Sequence, residues 1–93
     1  MSLNDMINKA KQLQENIQHL KAQGQSGAGL VKLEINGRHE LENIDIDLSL
    51  LNPDQKEVLE DLIRAALNNA NANLESSLKT QMQSLTGGLK LPF

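Results

Sequence analysis

The chain has 93 residues, one phenylalanine, no tryptophan, tyrosine or cysteine, and a formal net charge of −3. One domain is expected at this length, with a core built almost wholly from aliphatic side chains. Disulfides, thiolate zinc sites and a cysteine nucleophile are excluded, and a net negative chain can meet a polyanion only through local positive charge.

No apolar run approaches the ~18 residues of a membrane span. Met1-Ser2-Leu3-Asn4-Asp5 leads into polar, helical sequence without the apolar stretch of a secretory leader, so a soluble, cytoplasmic protein is expected.

The first helix is predicted over residues 2–20. Ser2 is its N-cap, and Asp5 follows at the spacing of a cap partner. Leu3, Met6, Ala10, Leu13, Ile17 and Leu20 recur at alternating spacings of 3 and 4, with Ile7 widening the stripe. That pattern fits a coiled-coil-like seam or an ordinary amphipathic helix lying on a sheet.

Residues 23–29, QGQSGAG, hold three glycines and no large apolar side chain, so they read as turn or extended chain. A short edge strand over 22–26 is expected there. A strand over 30–35 follows, with Val31, Leu33 and Ile35 on one face and Lys32 and Glu34 on the other. Asn36-Gly37 is a strong hairpin signal, and residues 39–47 return. Leu41 lies on one parity of that return strand, but Ile44 and Ile46 lie on the other. A three-residue Asn36-Gly37-Arg38 loop would set Leu41 across from Leu33. A bulge near Glu42-Asn43 would then bring Ile44 and Ile46 onto the same face.

A corner through Leu50 and Leu51 leads to Asn52-Pro53, read as N-cap and first residue of a second helix, with Gln55 placed for a capping box. This helix is predicted over residues 53–85 and the tail over 86–93. At ~1.5 Å per residue it outruns a domain of this size, so one end must project or meet a partner. Val58, Leu59, Leu62, Ile63, Ala66, Leu67 and Ala70 form a broad face for covering a sheet. Beyond them only the narrow seam of Leu74, Leu78, Met82 and Leu85 remains. An asparagine-rich run, 68–73, separates the two with poor helix propensity.

Catalytic constellations are missing. His19 and His39 have no partner at a recognised spacing and read as surface histidines. Asp45 and Asp47 share a strand face and read as solvated, because the oxygen-rich loop of a hard-cation site is lacking. The glycine run follows a helix and opens a strand, the reverse of a dinucleotide fingerprint. No enzyme, metal, cofactor, membrane or small-molecule substrate is expected.

GLVK, the ING turn, IDID with SLL, KEVLEDLIRAALNNA and the terminal LTGGLKLPF stand in this order over nearly the whole chain. Together they resemble the YbaB/EbfC family of bacterial nucleoid-associated proteins. The family usually carries a Gly/Met-rich extension before its first helix, and contacts from such a segment are not expected here. The resemblance implies one α+β domain over 1–93: an N-terminal helix, a three-stranded antiparallel sheet with the Asn-Gly hairpin, and a long C-terminal helix. It also implies a tweezer-like homodimer in the cytoplasm and nucleoid that binds double-stranded DNA with limited sequence selectivity.

The expected DNA contacts are Lys9 and Lys11 on the first helix, Lys79 and Lys90 near the end of the second, and Arg64. Val31, Leu33 and Ile35 with Leu74, Leu78 and Met82 are the expected dimer interface. The alternative is a dimeric protein-interaction scaffold, binding through the narrow seam or the tail rather than touching DNA. The central segment, 26–51, carries Glu34, Glu40, Glu42, Asp45 and Asp47 and is expected to repel DNA and serve as the platform for the helices.

Overall fold

The computed structural model describes residues 2–86, with side chains through Gln83. Helix α1 (Leu3–His19) precedes strands β1 (Lys21–Ser26), β2 (Val31–Asn36) and β3 (Leu41–Ile46), and helix α2 (Lys56–Thr86) closes the described chain. The strands form one antiparallel sheet in the order β1-β2-β3, which leaves β1 and β3 as its edges. The class is the expected α+β. The expected tail, apart from Thr86, lies outside the described residues.

Strict alternation in β2 builds the core. Val31, Leu33 and Ile35 face α2 and are buried, while Lys32 and Glu34 face away. From β1 the small residues Ala22 and Gly24 meet α2 at Ala66 and Ala70, with Leu74 and Leu50 completing the buried set. This pairing of small residues lets helix and strand approach closely. A Cβ on Gly24 would collide with the Ala66 carbonyl and with Ala70. Among the described residues the core is small and holds no aromatic ring, so close fit of aliphatic side chains builds it.

α2 lies over β1 and β2 and runs antiparallel to β1. Near its start the Leu62 carbonyl accepts from the Ser26 hydroxyl, and farther on Asn73 reaches Gln23. Its 31 residues extend about 46 Å, more than the sheet can cover. The molecule measures 61 × 26 × 15 Å with a radius of gyration of 18.1 Å, against about 12 Å for a compact domain of this length.

α1 begins with the predicted capping box. The Ser2 hydroxyl accepts from Asp5 N–H at 3.2 Å, and Ser2 N–H donates to the Asp5 carboxylate at 3.4 Å. None of its residues is buried. It meets the sheet at its last turn, where the Ile17 carbonyl lies against Gly37 so closely that a Cβ there would collide. Of the predicted seam, Leu20 packs against the core, whereas Leu3 and Met6 near the start of the helix stay exposed.

The hairpin differs from its predicted register. Asn36 N–H donates to Glu40 O at 3.0 Å and His39 N–H to Asn36 O at 2.9 Å. The loop is therefore Gly37-Arg38-His39, with His39 in the left-handed region at φ 64°. Leu41 pairs with Ile35 rather than Leu33, and β3 begins at Leu41 rather than 39. The cause is the Asn36 carboxamide, whose Oδ1 accepts from both Arg38 N–H at 2.8 Å and Glu40 N–H at 3.1 Å and so moves the three-residue loop one position along the chain. The bulge lies where the parity change requires it. Glu34 pairs with Asn43 and Ile35 with Leu41, leaving Glu42 unpaired between them.

The start of α2 also departs from expectation. Pro53–Gln55 forms a 3-10 turn before the α-helix. Asn52 makes no side-chain cap; its Nδ2 instead donates to Ser49 O at 3.1 Å. The capping side chain in this corner is Asp47, which accepts from Ser49 N–H at 2.9 Å and opens the 3-10 turn Leu48–Leu50.

Candidate nucleic-acid interface

The sheet face turned away from α2 collects polar and acidic side chains. Lys21 lies 3.4 Å from Glu42 and 3.9 Å from Glu34. Asn36 Nδ2 donates to Glu40 and Glu42, each at 3.2 Å. The Asn36 amide, aided by Lys21, holds the Glu42 carboxyl below its ordinary range, and bonds from Ser49 do the same for Asp47. These groups stay ionised, so the platform presents negative charge that a DNA backbone would avoid.

Apart from Lys21 and Lys32, positive charge stands away from it. Lys9 and Lys11 are exposed on α1 and form no ion pair among the described residues. Being two residues apart they are separated by about 200° around the helix, and they border the apolar stripe on opposite sides. Lys79 is exposed on α2 beyond Leu78, and it too lacks an ion pair among the described residues. Arg64 differs, because its guanidinium is 3.1 Å from Asp61. Lys56, which sequence reasoning did not select, is matched by Glu60 at 3.7 Å. Lys90 lies outside the described residues.

Two further cations emerge from the structure. Arg38 sits exposed at the hairpin tip, the end of the sheet where α1 attaches, and Lys32 is exposed on the outer face. Neither forms an ion pair among the described residues. Arg38 had only the turn position as a signal, since its neighbourhood to α1 is created by the Ile17–Gly37 approach. His39 is not idle: its Nδ1 is 3.0 Å from Asn71 Oδ1. Among the described residues no group of three or more His, Asp or Glu could hold a metal ion, and no helix is long and apolar enough to cross a membrane.

The expected dimer residues fall into two groups. Val31, Leu33, Ile35 and Leu74 are buried in the protomer's own core, because α2 already covers β2. Leu78 is half-buried against that core, and Met82 is 59% exposed. The apolar surface left open is elsewhere. On β3, Leu41 is 52% and Ile44 43% exposed, and on the following corner Leu48 reaches 82%. Leu41 pairs with Ile35 and Ile44 with Leu33, so both share the core-facing side of the sheet. They are uncovered because α2 rests on β1 and β2 and does not reach β3. Leu67 on α2 is exposed as well.

The sequence and fold are similar to those of known proteins. The chain is similar to nucleoid-associated proteins of Nitrobacter hamburgensis and Rhodopseudomonas palustris. Identity to the first is 43% over 84 residues, spanning 90% of this chain and 79% of that protein. For the second it is 45% over 84 residues, with 90% and 80% covered. Among solved structures, the uncharacterized protein HP0035 of Helicobacter pylori superposes with a TM-score of 0.72 at 30% identity, covering 89% of this chain and 87% of that one. Residues 1–89 match the YbaB/EbfC DNA-binding family, and the chain belongs to that family.

Proposed function

We propose that the chain is a nucleoid-associated protein of the bacterial cytoplasm that binds double-stranded DNA as a homodimer with limited sequence selectivity. Lys9, Lys11 and Lys79 meet phosphates, and Lys90 adds to them. Arg38 joins this set from the hairpin tip, while Arg64, occupied by Asp61, contributes less. The single observation that carries this reading is the segregation of charge. Lys9, Lys11 and Lys79, which form no ion pair among the described residues, stand on α1 and on the far part of α2, with Lys32 on the sheet the exception, whereas Lys21, Lys56 and Arg64 are neutralised beside carboxylates. Phosphate contacts position a protein on DNA without reading its bases.

Two copies are required by the same reading. β3 is an edge strand whose apolar face, Leu41 and Ile44, is left about half exposed by the described residues of the protomer. A second protomer on this face would remove it from water and double the lysine set. The test is a titration on duplex DNA of varied sequence at several salt concentrations. Falling affinity with rising salt, at a log–log slope of about −0.9 per phosphate neutralised, is the expected result. A slope near zero would overturn it.

A further inference from the structure

We propose that the asparagine-rich run of α2 is a clamp that fixes the direction of the helix on the sheet, with Asn69, Asn73 and Asn71 as positioning residues for the projecting arm. Gln25 N–H donates to Asn69 Oδ1 at 3.1 Å. Asn73 Nδ2 donates to Gln23 O at 2.7 Å. Both backbone groups belong to β1 and point off its free edge, where no further strand among the described residues supplies a partner.

The two bonds fit because two periods agree. Four residues of α-helix rise about 6 Å, and two residues of strand about 6.8 Å. Helix and strand run antiparallel here, so Asn69 reaches Gln25 and Asn73 reaches Gln23. The backbone also fixes both amide orientations, since a backbone N–H needs an oxygen and a carbonyl needs an N–H. Asn71 lies two residues along and so points to the opposite flank of the helix, where it meets His39 of the hairpin tip at 3.0 Å. The helix is held from both flanks, and rolling or swinging it about its own axis breaks at least one bond.

The clamp sits directly before the part of α2 that carries Lys79. A small angular change at the clamp becomes a large displacement of the arm, because the helix beyond it extends past the sheet. This also accounts for a segment of weak helix propensity in the middle of the longest element. The proposal rests on the reading that the arm carries DNA contacts, but its geometry is tested without DNA.

Asn69→Asp and Asn73→Asp add the same charge four residues apart and have opposite consequences. Asn69→Asp keeps the acceptor for Gln25 N–H. Asn73→Asp loses the donor and sets a carboxylate against the Gln23 carbonyl. The chain has no cysteine, so Asp45→Cys and Thr80→Cys give a specific spin-label pair between sheet and arm. Labelled chain diluted with excess unlabelled chain reports the distance within one protomer. A narrow distribution is expected for the parent and for Asn69→Asp, and a broadened or shifted one for Asn73→Asp. If Asn73→Asp does not fold, Asn73→Ala removes the donor without the charge and is expected to broaden the distribution too. Amide hydrogen exchange supplies a second readout: Gln25 N–H should stay protected in Asn69→Asp and lose protection in Asn69→Ala. Distributions unchanged by either Asn73 variant would overturn the clamp. On DNA, Asn73→Asp should bind on the order of tenfold more weakly than Asn69→Asp despite equal charge. A parent that fails to bind DNA while its distances respond as described refutes the DNA reading and leaves the clamp standing.

Discussion

β1 and β3 are the two edges of one sheet, and they are finished in opposite ways. β1 is pressed under α2 through Gly24, Ala66 and Ala70, and two of its outward backbone groups, Gln25 N–H and the Gln23 carbonyl, are bonded by asparagines. Among the described residues, β3 has neither helix cover nor side-chain partners on its outer edge, and it keeps Leu41 and Ile44 open to solvent. Exposed edges template unwanted pairing and are normally blocked or covered. Here one edge is covered by the helix and the other is left open among the described residues. Under the proposals above, the difference also separates tasks: the β1 side fixes an arm, and the β3 side meets a second copy.

The comparison breaks first at Gly24. Gly24→Val should destabilise the protein by about 3 kcal/mol, because helix and strand cannot separate without opening the core. Chemical denaturation would measure it. Asn43→Val, on the outer face of β3, should stay within about 0.5 kcal/mol by the same measurement. Equal effects at the two sites would mean that the edges are not differently packed.

Removing the arm charges comes next. Lys9→Gln, Lys11→Gln and Lys79→Gln together should reduce the log K against log salt slope by about 0.9 for each phosphate that is no longer neutralised. Arg64→Gln should alter it less, because Asp61 already holds that guanidinium. A triple variant with an unchanged slope would move the DNA surface away from the helices.

On the open side, Ile44→Lys should leave the protomer folded but weaken self-association by tenfold or more, since about 1.4 kcal/mol of lost burial suffices. Sedimentation across a concentration series would detect it. An unaltered association constant would place the dimer interface elsewhere.

The smallest effect concerns acid. Asp47 has a lowered pKa in the folded state through its bonds from Ser49. Its contribution is therefore present above the unfolded carboxylate pKa, about 3.9, and disappears as pH falls through the lower folded value. Relative to Asp47→Asn, the parent should lose urea resistance more steeply below about pH 4. Parallel pH profiles would remove Asp47 from the corner's stability.

Local chemistry made much of this legible. Ser2 and Asp5 announced a cap, alternation announced β2, and the parity change between Leu41 and Ile44 required the bulge that is found at Glu42. What stayed hidden depends on residues far apart in the chain. Asn36-Gly37 was readable as a turn, yet Gly37 is needed where Ile17 of α1 presses on it. The asparagine run looked merely unfavourable, because its partners on β1 lie 44 and 50 residues away. Val31, Leu33, Ile35 and Leu74 read as surface for a partner because sequence shows that a face is apolar, not what covers it. The lysines of the candidate interface were visible individually. Which of them escape ion pairing was not, except for the i to i+3 and i to i+4 neighbours of Arg64 and Lys56.

The bulge at Glu42 has a consequence for chain length. Without that residue, Leu41, Asn43, Ile44, Asp45 and Ile46 alternate perfectly, and each keeps its partner on β2. β3 therefore has one residue to spare, and β2 has none: removing Lys32 would set Val31 beside Leu33 and turn one of them out of the core. A single-residue deletion scan should find Glu42 dispensable for folding and Lys32 indispensable. Loss of the fold in both deletions would show that the kink itself is needed. The spare residue thus lies in the open edge strand and not in the buried central one.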